Sequence, residues 1–137
     1  MIEFPDPRVQ ESVPFLHVED MSKSVHFYVD QLGFRIVSDW RPNGELRWCR
    51  LEHGRAAIML QTFRPGHVPP ARGVGISVSF TCEDALAVHY RCQRVGLDCP
   101  KPFVGNGLWV VALEDPDGYR IEFQSPTDVP EGTTYSG

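Results

Sequence analysis

The sequence predicts an α+β fold of two tandem βαβββ modules, on the evidence of an internal repeat and a recurring order of helix and hairpin signals. Residues 25–34 resemble residues 88–97 in helical spacing and in their closing glycine, and residues 51–54 resemble residues 113–118 in leading from a strand into a turn. The two pairs occur in the same order at nearly equal offsets, which argues against chance similarity. Each half is therefore predicted to run strand, helix and three-strand meander.

The clearest hairpin signal lies in residues 115–123, which close the second half. Asp-Pro-Asp-Gly combines a carboxylate that can bond the following backbone, a proline with a fixed φ and a glycine that tolerates positive φ. In the strand that follows, Ile121 and Phe123 share the packed face, and Glu122 points to the opposite face. Glu122 is thus the first candidate for a functional residue, and an ordinary half-buried strand is the alternative.

Composition bounds the class of the protein. A chain of 137 residues suits one compact domain, or two small modules that share a core. Thirteen basic and eighteen acidic side chains give a net charge of −5 without any run of Lys or Arg, which disfavours a nucleic-acid partner. The acidic, proline-bearing start and the lack of a long apolar stretch predict a cytoplasmic protein that does not interact with membranes.

The four cysteines include no Cys-x-x-Cys pair. Because no signal peptide is recognised, we expect reduced thiols that serve packing. One of them, Cys82, precedes two acidic residues, which should raise its pKa and make it a poor nucleophile. The others are Cys49, Cys92 and Cys99.

The first module is predicted over residues 13–63, after a polar, proline-bearing N-terminal arm over residues 1–12. Asp20 or Ser22 caps its helix, and Gly33 ends it. Its predicted strands are residues 13–19, 34–40, 45–51 and 56–63. Three prolines in residues 64–72 then predict a linker between the modules.

The second module is predicted over residues 73–125, followed by a C-terminal tail over residues 126–137. Its helix, residues 83–95, is capped by Thr81 or Asp84 and ended by Gly96. Its first strand, residues 73–80, alternates small residues with larger apolar ones that should pack under the helix, namely Val74, Ile76, Val78 and Phe80. The remaining predicted strands are residues 97–103, 108–114 and 119–124.

Residues 12–125 resemble the vicinal oxygen chelate superfamily, which includes glyoxalase I, bleomycin resistance proteins and extradiol dioxygenases. The most specific matches are residues 16–20 leading into residues 24–28 and 32–34, together with the segment 115–123. The resemblance implies curled mixed sheets that enclose a cup, in a homodimer whose subunits can exchange modules. Strand alternation independently predicts sheets with helices on one face and an open polar face on the other.

The resemblance also assigns four metal-ligand positions, two per module, and here they fall on Val13, Met59, Gly73 and Glu122. Only Glu122 offers a suitable donor, because valine and glycine have no lone pair and a thioether suits oxygen-rich sites poorly. We therefore predict no metal and no other cofactor. The alternative is a divalent ion in a displaced site made of His17, Gln61 and Glu122, which a shift of strand register would permit.

The remaining histidines do not suggest a metal site. His26 and His89 occupy the same place in the two predicted helices, which argues for a shared structural role. His53 lies in a predicted turn and His67 in the linker. No histidine pair has the spacing of metal ligands on one helix face.

Without a metal, the cup becomes a predicted binding cavity that mixes aromatic walls with a few polar groups. Its predicted lining is Phe15, His17, Trp48, Met59, Gln61, Phe63, Ser77, Arg120, Glu122 and Gln124. Core packing is the alternative interpretation for the tryptophans. It is preferred for Trp109, which alternation places on the packed face of its strand, whereas alternation places Trp48 on the opposite, open face. An unpaired Glu122 would favour a cationic or aromatic small organic ligand, and pairing with Arg120 would cancel the preference for positive charge.

Two functional classes are compatible with these residues. The first is a metal-free, sequestering protein of the bleomycin resistance type that could confer antibiotic resistance. The second is a metal-dependent glyoxalase-like lyase or extradiol dioxygenase-like enzyme with a displaced site. An interaction module with a collapsed cup is less favoured because glycines and serines keep the predicted face open. Fold alone does not separate these classes.

Overall fold

The computed structural model describes residues 2–137, which form two four-stranded mixed sheets, each with one main helix. In the first half the elements are β1 (Phe15–Val18), α1 (Met21–Val25) continued by a π-helical segment (His26–Gln31), β2 (Arg35–Trp40), a 3₁₀ turn (Pro42–Gly44), β3 (Trp48–His53) and β4 (Ala56–Thr62). In the second half they are β5 (Ser77–Thr81), α2 (Ala85–Val95), β6 (Phe103–Gly105), β7 (Leu108–Glu114) and β8 (Arg120–Pro126).

Both sheets have the same topology. The strand orders are β1-β4-β3-β2 and β5-β8-β7-β6, and in each sheet the first strand pairs in parallel with the last while the other pairs are antiparallel. The α+β class and the duplicated βαβββ arrangement are thus confirmed. None of the helices in residues 2–137 has the length and apolar composition needed to cross a membrane.

The helix boundaries follow from capping chemistry. The Asp20 side chain accepts a hydrogen bond from the Lys23 backbone N–H at 3.2 Å, and the Asp84 side chain accepts one from Leu86 at 3.1 Å. Gly96 ends α2 with a φ of +73°, a backbone conformation that residues with a Cβ rarely adopt. These sequence-predicted caps are confirmed.

Two predicted strands differ from the structure. The strand predicted over residues 73–80 begins only at Ser77, because Gly73 and Gly75 adopt positive φ values of +72° and +77° and turn the chain. Val74 and Ile76 are therefore 80% and 59% exposed instead of buried under α2. The strand predicted over residues 97–103 is replaced by β6 (Phe103–Gly105), since the prolines that precede it lack the N–H groups of a ladder.

The two repeated histidines lie in different environments, so the prediction of a shared structural role is wrong. His26 is exposed and forms an ion pair with Asp30 at 2.9 Å on the surface of the π-helical segment. His89 is only 5% exposed and packs edge-on against Tyr135 of the C-terminal tail. Equivalent places in a repeat do not have equivalent neighbours here, because the tail covers only the second helix.

The Asp-Pro-Asp-Gly turn joins the halves of the molecule. The Asp115 carboxylate accepts hydrogen bonds from the backbone N–H groups of Asp117 and Tyr119, each at 2.9 Å. The Asp117 carboxylate in turn accepts the backbone N–H of Glu19 at 2.9 Å and a guanidinium N–H of Arg72 at 3.2 Å. A turn in the second module therefore holds the end of β1 and the linker.

Candidate ligand-binding site

The outward face of the first sheet carries a row of four side chains in register across its four strands. Trp40 on β2 pairs with Trp48 on β3, Trp48 pairs with Gln61 on β4, and Gln61 pairs with His17 on β1. We call Trp40, Trp48, Gln61 and His17 the cross-strand row. Neighbouring strands are about 4.8 Å apart, so the row spans roughly 14 Å of sheet surface.

Strand alternation explains how three members of the row reach the outward face. Leu16 and Val18 of β1 are buried, which leaves His17 on the opposite side of the strand. The same alternation in β3 buries Cys49 and Leu51 and turns Trp48 outward, and in β4 it buries Leu60 and turns Gln61 outward. The alternation of residue types in the sequence predicts these positions.

The sequence does not predict Trp40 on this face. Its strand contains a β-bulge, since the register shifts between Ile36, which pairs with Leu51, and Ser38, which pairs with Arg50. After this extra residue, each following side chain lies on the sheet face opposite to the one that simple alternation predicts. Trp40 is consequently 55% exposed beside Trp48, although simple alternation would place it on the side of Ile36.

Aromatic rings extend the row along β1 and past the end of β4. The His17 ring stacks on Phe15 with centroids 5.1 Å apart and an interplanar angle of 14°, and it lies 5.6 Å from Phe63. A shallow cavity of about 310 Å³ borders this surface, and its lining includes Trp40, Gln61 and Phe63. The first sheet thus presents flat π surfaces with only a few polar atoms, which suits a planar ligand.

Arg50 lies next to the row and holds the N-terminal arm. Its guanidinium contacts the Glu11 carboxylate at 2.8 Å and the Glu52 carboxylate at 3.0 Å. A hydrogen bond from Arg50 and its positive charge lower the pKa of Glu11 below its ordinary value. Arg50 pairs in register with Met59, so the arm passes close to the predicted ligand-binding residues.

The second sheet presents a smaller and more polar outward face. Ser79 pairs in register with Glu122, and Ser77 pairs with Arg120. Arg120 Nε donates to Glu122 Oε1 at 2.6 Å, and Ser79 Oγ donates to Glu122 Oε2 at 3.2 Å. Glu122 is therefore a paired carboxylate with both oxygens engaged, which removes the net negative charge on which a preference for cations would depend.

The predicted lining residues divide into two groups. Phe15, His17, Trp48, Met59, Gln61 and Phe63 lie on the first sheet, and Ser77, Arg120, Glu122 and Gln124 lie on the second. Within residues 2–137, no hydrogen bond, ion pair or ring contact connects the side chains of one group with those of the other. Their assembly into a single site stays a prediction.

The donor set does not fit a metal ion. By pairing register, Met59 corresponds to Glu122 and Phe15 to Ser79, so the counterpart of Val13 in the second module is Ser77. Gly73, which the sequence places there, lies outside β5 in a turn against Tyr119. Val13 therefore offers no donor and Met59 offers a thioether. Ser77 offers a hydroxyl, and Glu122 offers a carboxylate that is already paired.

The displaced set is not assembled within the chain either. His17 and Gln61 are register partners on adjacent strands, but Glu122 lies on the other sheet. Within the described part of the chain, no three His, Cys, Asp or Glu side chains converge on a point where they could hold an ion. A carboxylate that already accepts from Arg120 and Ser79 would have to release both to serve as a ligand.

Comparison with known proteins identifies several similar chains. The model of the Glyoxalase/Bleomycin resistance protein/Dioxygenase superfamily matches residues 11–123. Lactoylglutathione lyase of Haemophilus influenzae is 28% identical over 116 residues, covering 79% of this chain and 86% of that enzyme. A glyoxylase/bleomycin resistance protein/dioxygenase domain from Frankia has a TM-score of 0.71 at 19% identity, covering 89% of this chain and 95% of its own. A bleomycin-binding protein complexed with bleomycin has a TM-score of 0.65 at 22% identity, covering 85% of this chain and 98% of that protein's chain.

Proposed function

The chain belongs to the glyoxalase/bleomycin resistance protein/dioxygenase superfamily, and from that premise we propose that it is a metal-free binder of planar organic molecules. The observation that carries the proposal is the cross-strand row, in which two tryptophans and a stacked histidine lie side by side on an outward sheet face. Three of the four positions that would hold a metal in the family lack a suitable donor. The same surface that fits a metal poorly thus fits an aromatic ligand well.

The binding site is completed by a second copy of the chain. Among residues 2–137, no side-chain hydrogen bond, ion pair or ring contact joins the aromatic face to the polar face, and both faces carry exposed side chains. β1 and β5 are also edge strands of their sheets, which favours association with another copy. A two-fold dimer in which the first sheet of one copy faces the second sheet of the other would form two enclosed sites.

The ligand follows from the chemistry of both faces. The cross-strand row supplies stacking area, and the Arg120–Glu122 pair supplies both hydrogen-bond donors and acceptors. Because the pair is electrically balanced, we expect a planar aromatic ligand with polar substituents, and only a weak preference for positive charge. The bleomycin-binding protein of the same fold supports bleomycin-like compounds as the first ligands to test. Sequestration of such a compound would give antibiotic resistance without chemical change.

The test is a tryptophan-fluorescence titration of the purified, chelator-free protein with bleomycin and a panel of aromatic compounds. We expect saturable quenching by at least one planar compound, with affinity reduced about tenfold in Trp48→Ala and in Glu122→Gln. Circular dichroism of each variant checks that the fold persists. Absence of binding by every compound in the panel, together with metal-dependent turnover, would overturn the proposal.

A second candidate is a metal-dependent lyase, and the 28% identity to lactoylglutathione lyase of Haemophilus influenzae favours it. In that case His17, Gln61 and a Glu122 from another copy would hold a divalent ion, which would polarise substrate oxygens. Turnover of the methylglyoxal–glutathione adduct would then be lost in Glu122→Gln together with the bound metal. A catechol serves as the parallel substrate for the dioxygenase version of this candidate.

A further inference from the structure

An arginine side chain lies on the outward face of the first sheet, beside the cross-strand row. In β3 the buried residues are Cys49 and Leu51, so Arg50 shares the outward facing of Trp48, two residues before it. Two residues of a strand span about 6.6 Å, so the Arg50 and Trp48 side chains leave the sheet as close neighbours. Arg50 also pairs in register with Met59 of the predicted lining. The aromatic face thus contains a guanidinium, a group that keeps its positive charge at every physiological pH.

Two carboxylates hold this guanidinium, and they differ in how firmly they are placed. Arg50 Nε donates to Glu52 Oε2 at 3.0 Å, and Glu52 lies two residues further along the same strand. Arg50 Nη1 donates to Glu11 Oε1 at 2.8 Å, and Glu11 belongs to the N-terminal arm, in which residues 2–12 form no helix or strand. The Glu11 side chain is 59% exposed and that of Glu52 is 30% exposed. Glu11 is therefore the partner that a competing anion can replace.

The contact with Arg50 is what attaches the arm to the sheet. Within residues 2–12, the other hydrogen bonds are local, since the Arg8 backbone N–H donates to the Asp6 carboxylate and the Gln10 side chain donates to the Arg8 carbonyl. All of these residues are exposed. A group on a short flexible tether reaches an effective concentration in the millimolar range at its partner. The Glu11 carboxylate thus competes with a free anion for Arg50 without excluding it.

We propose that Arg50 binds a carboxylate substituent of the planar ligand and that Glu11 occupies this position in the free protein. This inference rests on the proposed function and adds the charge of one substituent to it. A carboxylate matches the planar guanidinium and forms charge-assisted hydrogen bonds with it. On the polar face Arg120 and Glu122 neutralise each other, so Arg50 decides between charged ligands. The ligand class is aromatic carboxylates, whose ring stacks on the cross-strand row while the carboxylate takes the place of Glu11.

The experiment compares two probes, naphthoate and the corresponding naphthamide, which share one ring system and one shape but differ in charge at neutral pH. Isothermal calorimetry on the full chain gives both affinities, and the measured quantity is the ratio of the naphthoate affinity to the naphthamide affinity. We expect this ratio to rise about tenfold in Glu11→Gln, because the tethered competitor loses its charge. In Arg50→Gln the ratio should fall about tenfold, because the charge-assisted bond is lost and two carboxylates are left to repel the anion.

Asp30→Asn is the matched control for the change in net charge. Asp30 is 62% exposed, much like Glu11, and it forms an ion pair with His26 at 2.9 Å on the π-helical segment, outside both outward faces. The ratio in this variant should equal that of the wild type. A second measurement follows the arm directly. Saturating naphthoate should speed hydrogen exchange of residues 2–12 in the wild type, and saturating naphthamide should not.

The outcomes separate this inference from the proposed function. If naphthamide binds and Trp48→Ala weakens it, while Glu11→Gln has the wild-type ratio, the inference is wrong and the proposed function stands. If the ratios change as expected but Trp48→Ala alters neither affinity, the anion site is upheld and stacking on the row is rejected. Binding of neither probe to any variant would overturn both. Circular dichroism checks each fold, and Arg50→Lys, which keeps the charge but loses the planar fork, replaces Arg50→Gln if that variant unfolds and should then lower the ratio.

Discussion

The Tyr28 hydroxyl donates a 2.7 Å hydrogen bond to the buried carboxylate of Asp115, although the two residues are 87 positions apart. Tyr28 is fully buried and Asp115 is 5% exposed, so the bond lies inside the shared core of both halves. Burial raises the pKa of Tyr28, and the charge of Asp115 raises it further, which keeps the hydroxyl protonated as a donor. The turn that closes the second module is thereby attached to the helix of the first.

Tyr28→Phe should destabilise the protein by about 1–3 kcal/mol, because it leaves one oxygen of a buried carboxylate without its donor. Chemical denaturation followed by circular dichroism measures the change. Tyr90→Phe is the control, since Tyr90 is 47% exposed and its hydroxyl bonds the Tyr135 hydroxyl at the surface, so its loss should cost about 1 kcal/mol or less. Equal stabilities of wild type and Tyr28→Phe would show that the bond does not hold the modules together.

The contact between Glu11 and Arg50 should depend on pH. Arg50 lowers the pKa of Glu11 in the folded protein, so the contact is fully present above the unfolded value of about 4.3 and is lost as pH falls through the lowered folded value. We expect the amides of residues 2–12 to exchange faster below that value, as measured by hydrogen exchange or NMR. Glu11→Gln should show the fast exchange at every pH, and a pH-independent arm in the wild type would contradict the assignment.

The cross-strand row predicts a specific pattern of binding losses. Trp40→Ala and Trp48→Ala should each weaken binding of a planar ligand by about tenfold, because each removes one stacking surface. Tyr90→Ala is a matched control, as Tyr90 is an exposed aromatic residue on α2 outside both outward faces. Isothermal calorimetry with the tightest ligand of the panel gives the affinities. An unchanged affinity in Trp40→Ala would restrict the site to the residues predicted from sequence.

Sequence alternation predicts much of this surface, and its failures have local physical causes. The facing of His17, Trp48 and Glu122 follows from the alternation of buried and outward residues in regular strands. Trp40 escapes prediction because the bulge before Ser38 leaves no clear mark in the residue types around it. The pairing of Arg120 with Glu122 is predicted only as an alternative, since alternation fixes facing but not which neighbours bond.

The turn at residues 73–76 shows a second limit of sequence patterns. Glycine alternating with valine and isoleucine has the period of a strand, yet Gly73 and Gly75 take up positive φ and end that period. A Cβ at Gly73 would lie 2.8 Å from the Tyr119 ring, so close packing against the hairpin of β7 and β8 also requires glycine at this position. Only the tertiary contact distinguishes this turn from an extended β5.

The purified protein should carry no stoichiometric transition metal and should not be stabilised by Ni, Zn, Mn or Fe. The physical reason is the donor set, in which Val13 has no lone pair and Glu122 is already bonded to Arg120 and Ser79. Elemental analysis and thermal shift with each ion measure this. Glu122→Gln should give the same thermal shifts as wild type. If elemental analysis instead finds close to one metal ion per chain, and adding that ion raises the melting temperature strongly, the lyase candidate is favoured.

A mixed dimer tests whether each site is built from two copies of the chain. In the proposed homodimer, the aromatic face of one copy meets the polar face of the other, so a dimer of one Trp48→Ala chain and one Glu122→Gln chain contains one doubly altered site and one intact site. If the two faces of a single chain formed the site instead, both sites in that dimer would be altered. Two affinity tags on co-expressed chains isolate the mixed species.

We expect the mixed dimer to bind one ligand per dimer with wild-type affinity, while each parent homodimer binds about tenfold more weakly. Analytical ultracentrifugation of the wild type should show a dimer over the concentrations used, because β1 and β5 are edge strands and edge strands favour association. A concentration-independent monomer would reject the dimer outright. A mixed dimer without any wild-type site would assign both faces to one chain, since complementation is possible only when each site draws one face from each partner.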